Sequence, residues 1–256
     1  MKTLWIAVLF LFGSVTMANA VPLAGGLGGT AGYGEHQLAD NDDGSTSFID
    51  LSSVFDNGMN FYGTTYTGLY LNNNGNVTFS APLSTYTPYS MTGSTANPII
   101  APFFADVDTR GSGDVYWDED TVNGIFTATW NAVGYFSYHT NPLDSFQLRL
   151  IDQGGGDFGI EFRYASLGWT VGDVSGTAYA RAGYNSGNGT DYYELPESGN
   201  NAAMLDLVNR SNAGTDGLFQ WQVRNGNPAP VPEPGSMALM SIGLAGLFSL
   251  RRRQAA

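Results

Sequence analysis

The sequence predicts an all-β protein: a single antiparallel, sandwich-like domain flanked by an N-terminal signal peptide and a C-terminal hydrophobic helix. Three observations point there. Short runs of alternating apolar and polar residues recur along the chain, helical periodicity is nearly absent, and turn clusters rich in Gly and Asn separate the runs. Long charge-free apolar stretches occur at the two ends. Setting those ends aside leaves about 210 residues, enough for one domain with its own core.

Met1-Lys2 is a short basic start, Leu4 to Phe12 is apolar, and Ala18-Asn19-Ala20 offers small residues on either side of one larger one. Residues 1–20 therefore read as a secretory signal peptide recognised at Ala18 and Ala20, with Val21 first in the mature chain. Residues 21–33 are Gly-rich and expected to be mobile. The β domain spans 34–226.

Within it, Val115-Tyr116-Trp117 and Phe126 to Trp130 flank a loop at 118–124. Phe146, Leu148 and Leu150 alternate with polar neighbours, and after the turn cluster at 152–157 so do Phe158, Ile160, Phe162 and Tyr164. These two runs predict a hairpin with its apolar side chains on one face. Ala202 to Val208 suits a short helix, and Phe219, Trp221 and Val223 a closing strand. Ala101 to Ala105 reads as a buried strand that emerges at the following aspartates. Residues 227–236 form a Pro-rich linker, 237–250 an apolar helix and 251–256 a basic tail. The apolar run of 14 residues is about 21 Å long as a helix, shorter than a comfortable bilayer span.

Composition excludes several functions. There is no cysteine, so disulfides, thiol catalysis, zinc–thiolate sites and iron–sulfur clusters are absent. Between Val21 and Pro230 the chain has six arginines, no lysine and all but one of its 23 acidic residues. Such a surface repels nucleic acid and attracts divalent cations or basic partners.

The C-terminal order is Pro232-Glu233-Pro234, then the apolar run, then Arg251-Arg252-Arg253. It resembles the PEP-CTERM sorting signal of Gram-negative bacteria that make exopolysaccharide. The resemblance implies transient anchoring in the inner membrane, with the arginines cytoplasmic, and processing by an exosortase-type enzyme.

Other segments, in order, look like a nidogen-like (NIDO) domain. They are Asp42-Asp43-Gly44-Ser45-Thr46, then Leu69 to Phe79 with its Asn72-Asn73-Asn74-Gly75-Asn76 turn, then Pro98 to Thr109 with Ile100-Ala101-Pro102-Phe103-Phe104-Ala105-Asp106-Val107-Asp108. Gly113 to Trp117, Thr129 to Tyr135, Ser145-Phe146-Gln147, Ala182 to Asn185 and Leu195 to Ser198 follow. Glu197 stands where the family commonly has Gly. The resemblance implies cell–matrix adhesion and no catalytic role. Members of this family in animals carry further adhesive modules, whereas this chain has the NIDO-like domain alone.

Asp106, Asp108 and Asp114, with Gly111 and Gly113 between them, make an Asp-rich loop suited to calcium, which takes six to eight hard oxygen ligands. The spacing is not that of an EF-hand, because Trp117 stands where the bidentate Glu would fall. The same aspartates would serve equally as turn caps. Asp40, Asp42 and Asp43 form a second candidate. Tyr86, Tyr89, Trp117 and Trp169 could stack on sugar rings, or fill the core.

The two histidines, His36 and His139, have no nucleophile motif around them. Asn76, Asn188 and Asn209 head sequons that suit turn chemistry. The expectation is therefore an exported protein of the cell surface or extracellular matrix, adhesive or structural and not enzymatic. Its partners would be extracellular polysaccharide or matrix proteins, with no nucleic acid. A carbohydrate-binding module or a secreted glycan-active enzyme is the alternative.

Overall fold

Alternation of period two places one set of side chains on each face of a strand, and two such faces bury each other here. The computed structural model describes residues 20–172 and 178–231. The signal peptide, the Pro232-Glu233-Pro234 element, the apolar helix and the basic tail lie outside them. Among the described residues no helix is long and apolar enough to cross a membrane.

The strands in chain order begin with β1 (His36–Leu38), β2 (Ile49–Asp50), β3 (Met59–Phe61), β4 (Thr64–Tyr66), β5 (Gly68–Asn72) and β6 (Asn76–Thr78). Next come β7 (Ile99–Phe104), β8 (Val107–Asp108), β9 (Asp114–Asp120), β10 (Ile125–Tyr135), β11 (His139–Asp152) and β12 (Phe158–Ser166). Last are β13 (Arg181–Asn185), β14 (Tyr192–Glu194), β15 (Leu218–Arg224) and β16 (Asn227–Pro230). One sheet runs β1-β9-β10-β11-β12-β15-β16, with β8 against β10; the other runs β14-β13-β7-β6-β5-β2. All pairings are antiparallel, and β3 and β4 form a separate ribbon.

The expected hairpin is β11–β12. Phe146 faces Tyr164, Leu148 faces Phe162 and Leu150 faces Ile160 across it. These side chains are fully buried, as are Trp130 and Trp221 on flanking strands. Each large side chain removed from water contributes about 1.5–3 kcal/mol. Aromatic contacts join the sheets: Phe103 of β7 lies 5.2 Å from Phe146, and Tyr184 of β13 lies 5.6 Å from Trp221. Two hydrogen bonds fix the sheets against each other, from the Tyr164 hydroxyl to the Pro102 carbonyl at 2.7 Å and from Trp130 Nε1 to the Asn73 carbonyl at 2.8 Å.

β7 is buried on both faces, as its unbroken apolar run requires. Its inner face joins the main core. Outside, Ile99, Ala101 and Phe104 pack under Leu83 and Met91 of the long β6–β7 connection. Tyr89 and Trp169 are packing residues and not sugar platforms. Tyr89 meets the Phe104 ring edge-on at 5.1 Å, and Trp169 is 5% exposed.

Three boundaries differ from the sequence expectation. The Gly-rich segment 21–33 is held in place: Val21 is buried and donates to the Asp216 carbonyl, and Ala24 exchanges two bonds with the Gln147 side chain. It lies over the polar outer face of β11 and β12, where Arg163 also bonds the Pro22 carbonyl. The linker starts later than expected, because Asn227–Pro230 pairs with β15 as an edge strand. At an edge, proline's missing N–H costs no ladder bond. The loop at 118–124 shortens to 121–124, since pairing with β10 carries β9 on to Asp120. The short helix is present as Asn201–Leu205 followed by a 3₁₀ turn to Asn209, with the Asn200 side chain capping it.

Asp144 is a buried acid with an incomplete set of partners. Its Oδ1 accepts from the Gly168 and Trp169 amides at 2.6 and 3.1 Å, while Oδ2 has no partner among the described residues. Burial drives its carboxyl well above the ordinary range, and those two amide bonds only partly oppose it. The folded state therefore holds a proton that the unfolded chain releases near pH 4, and this contribution to stability is lost as pH rises. Asp144→Asn keeps an acceptor for both amides. It should flatten the fall in stability with rising pH, read as a smaller difference in urea-unfolding midpoint between pH 5 and pH 8 than the wild type shows. In the core, Phe162→Ala should cost about 3–5 kcal/mol in the same assay.

Candidate functional site

The β5–β6 turn, Asn72-Asn73-Asn74-Gly75-Asn76, is polar and yet buried: all four asparagines are at most 1% exposed. Such groups are tolerated only when hydrogen-bonded. Asn72 Nδ2 donates to Asn76 Oδ1 and Thr78 Oγ1, and its Oδ1 accepts from the Leu83 amide and the Ser45 hydroxyl. Asn73 Nδ2 donates to the Asp42 and Val107 carbonyls. Asn74 Nδ2 donates to Asp43 Oδ1 at 2.8 Å, while its Oδ1 accepts from the Val107 amide at 2.9 Å. Gly75 has φ +74°, and a Cβ there would stand 1.8 Å from the Phe103 carbonyl oxygen, so only glycine fits.

This turn draws two distant loops together. One is the Asp42-Asp43-Gly44 stretch before β2; the other is Asp106, between β7 and β8. One oxygen from each of Asp42, Asp43 and Asp106 lies within 4.8 Å of the other two. Asp106 is 2% exposed and, among the described residues, its Oδ1 has no hydrogen-bond partner; the Asp42 Oδ1 is likewise buried and without a partner among them. Gly172 passes so close that a Cβ on it would fall 2.1 Å from the Asp106 Cβ. Burial raises the Asp106 carboxyl to about 8, helped by the like charges of Asp43, Asp42 and Asp108. Asp42 is also raised, by burial and Asp108, against the opposing pull of Arg110.

The ligand set expected from the loop alone is not assembled. Asp108 is turned to Arg110, whose Nε and Nη2 reach its two oxygens at 2.8 and 2.7 Å, and Tyr138 adds an amide bond at 3.0 Å. Burial pushes the Asp108 carboxyl up, but these bonds outweigh it and hold the group below its ordinary value. Arg110 also binds Asp42 at 2.8 Å and lies over the Tyr138 ring. Asp114 is taken by Gln37 Nε2 at 2.6 Å and the Tyr116 hydroxyl at 2.8 Å. Of the second candidate, Asp42 and Asp43 join Asp106, whereas Asp40 is exposed. Sequence reading held the two halves as separate clusters and gave no role to Asn73 or Asn74, the residues that join them.

The histidines take part in stacking. His36 lies 4.9 Å from the Trp117 ring, and His139 lies 4.4 Å from Tyr135 with Nδ1 against the Phe136 carbonyl. Asn76 is buried inside its turn, which closes that sequon to modification.

The two-sheet architecture, the covered β7 and the loop cluster at its end define a β-sandwich module of extracellular type. The chain belongs to the nidogen-like domain family, whose model matches residues 67–225, and a PEP-CTERM protein-sorting motif matches residues 230–253. Alpha-tectorin of Mus musculus is 30% identical over 215 residues, covering 71% of this chain and 10% of that protein. Nidogen of Drosophila melanogaster is 29% identical over 197 residues, covering 64% of this chain and 14% of that protein. The chain thus spans only a tenth to a seventh of these relatives. No solved structure matches it. Domain and sorting motif together mark an exported, extracellular protein of the matrix type.

Removing the amide of Asn73 leaves two buried carbonyls without donors. Asn73→Ala should therefore destabilise the domain by roughly 3 kcal/mol in urea unfolding, whereas Asn57→Ala, at an exposed position, should stay within about 0.5 kcal/mol.

Proposed function

We propose that this protein is an adhesive or structural component of the cell surface or exopolysaccharide matrix of a Gram-negative bacterium. One observation carries the reading: a nidogen-like domain and a PEP-CTERM motif occupy a single chain. Pro232-Glu233-Pro234 is then the element an exosortase-type enzyme recognises. The apolar run and Arg251 to Arg253 hold the chain in the inner membrane during transit. The domain works by binding polysaccharide or matrix proteins, and its role is not catalytic. Six arginines and no lysine between Val21 and Pro230 suit a highly hydrated, acidic matrix component that does not bind nucleic acid.

A groove favours carbohydrate as the ligand. About 520 Å³ in volume, it lies between β1 and β2 and is lined by Phe48, Trp117, Gln37, Asp50 and Glu119 among others. Phe48 is 46% exposed, and aromatic faces beside carboxylates and amides suit sugar rings and their hydroxyls.

Two measurements test these readings. The exported protein should be lighter than the full chain by both terminal segments, and replacing Pro232-Glu233-Pro234 by alanines should leave the tail attached and the protein in the membrane fraction. On immobilised exopolysaccharide, retention should saturate and fall at least tenfold for Phe48→Ala. Non-saturable retention would instead indicate a passive scaffold, and turnover of a glycan would overturn the non-catalytic reading.

A further inference from the structure

We propose that Asp42, Asp43 and Asp106 form a calcium site that clamps the opening loop of the domain to the end of β7. The three ligand oxygens come from loops more than sixty residues apart, and all lie within 4.8 Å of one another. Oxygens on opposite sides of a calcium ion stand about 4.8 Å apart, so all three carboxylates lie within reach of one ion.

Proximity of acids alone would not make a site. The decisive observation is Asp106 itself, 2% exposed, with one carboxylate oxygen within 4.8 Å of those of Asp42 and Asp43 and a buried Oδ1 that has no donor among the described residues. A carboxylate taken out of water with nothing bound to it is costly, and hydrogen-bonded acids elsewhere in this molecule show the contrast. Asp108, two residues further on and also buried, is fully engaged by Arg110 and Tyr138.

Arg110 is the nearby cation, and its geometry is spent. Its Nη2 serves Asp108 Oδ2 and Asp42 Oδ2, which leaves Asp42 Oδ1 buried and unpartnered beside Asp106. Four carboxylates thus face one guanidinium. A divalent ion would take up that excess charge and the free oxygens together. Asn74 orients the third ligand by donating to Asp43 Oδ1. Half-exposed Asp42 and Asp43 leave the outer side open to water, which would complete a shell of six to eight oxygens.

The test uses the full-length chain in detergent, stripped with chelator and titrated with calcium chloride or magnesium chloride. Calorimetry should give one calcium per chain, with magnesium at least tenfold weaker. At calcium a hundredfold above its Kd, the thermal midpoint should rise by about 5–10 °C. Asp106→Asn should abolish both the heat and the shift, while Asp114→Asn should keep them. In chelator, Asp106→Asn should melt at or above the wild-type temperature, because it replaces a buried carboxyl crowded by Asp43, Asp42 and Asp108 with a neutral group of similar shape; that result separates loss of the site from loss of the fold. No calcium-dependent shift in the wild type, a calcium response in Asp106→Asn equal to wild type, or equal binding of magnesium would overturn the assignment.

Discussion

Hydrogen bonds from the buried β5–β6 asparagines are the constraint on which the working end of this molecule depends. Four amide side chains at most 1% exposed must find partners inside the protein; Asn76 finds them within the turn, and the other three reach into other segments. Asn72 takes Ser45 and Leu83, Asn73 takes Asp42 and Val107, and Asn74 takes Asp43 and Val107. Trp130 then donates to the Asn73 carbonyl from the opposite sheet. A single turn thereby fixes the opening loop, the β7–β8 corner and the distance between the sheets. With Phe103 crowding Gly75, the turn has little freedom to rearrange without breaking the strands around it.

The acidic loops follow from that knot. Carboxylates normally spread out in water, but here the turn holds Asp42 and Asp43 against Asp106 at the point where an apolar strand ends. Asp106 is carried inward because β7 is covered on both faces, so the residues that follow it start from the interior. The neighbouring Asp108 escapes the same predicament through Arg110. Two acids two residues apart therefore end in opposite electrostatic states, one raised by burial and like charges and the other lowered by its guanidinium partner.

Elsewhere the molecule has a conventional division of labour between faces. Phe146, Leu148, Phe162 and Trp221 point inward, while Arg149, Glu161, Arg163 and Gln220 build a hydrogen-bonded layer outside. The Gly-rich segment after Ala20 covers part of that layer, and its backbone carbonyls and amides satisfy Gln147 and Arg163. Glycine abundance suggested mobility, yet the backbone of Val21, Pro22 and Ala24, ahead of the glycines, makes these bonds.

The sequence by itself determined the central strands, their core face and the family. Alternation at Phe146 to Leu150 and Phe158 to Tyr164 reports local geometry, because a strand's two faces are written two residues apart. The apolar run Ala101 to Ala105 likewise announced a buried strand. Only the tertiary structure decided which aspartates meet. Asp106, Asp108 and Asp114 are neighbours in sequence, but a strand rises about 3.3 Å per residue and turns re-aim each carboxylate, so nearness along the chain does not survive folding. Contact between Asp43 and Asp106 depends instead on the pairing of β5, β6 and β7 and on two asparagine amides. That is information held in long-range partners, which no local spacing records.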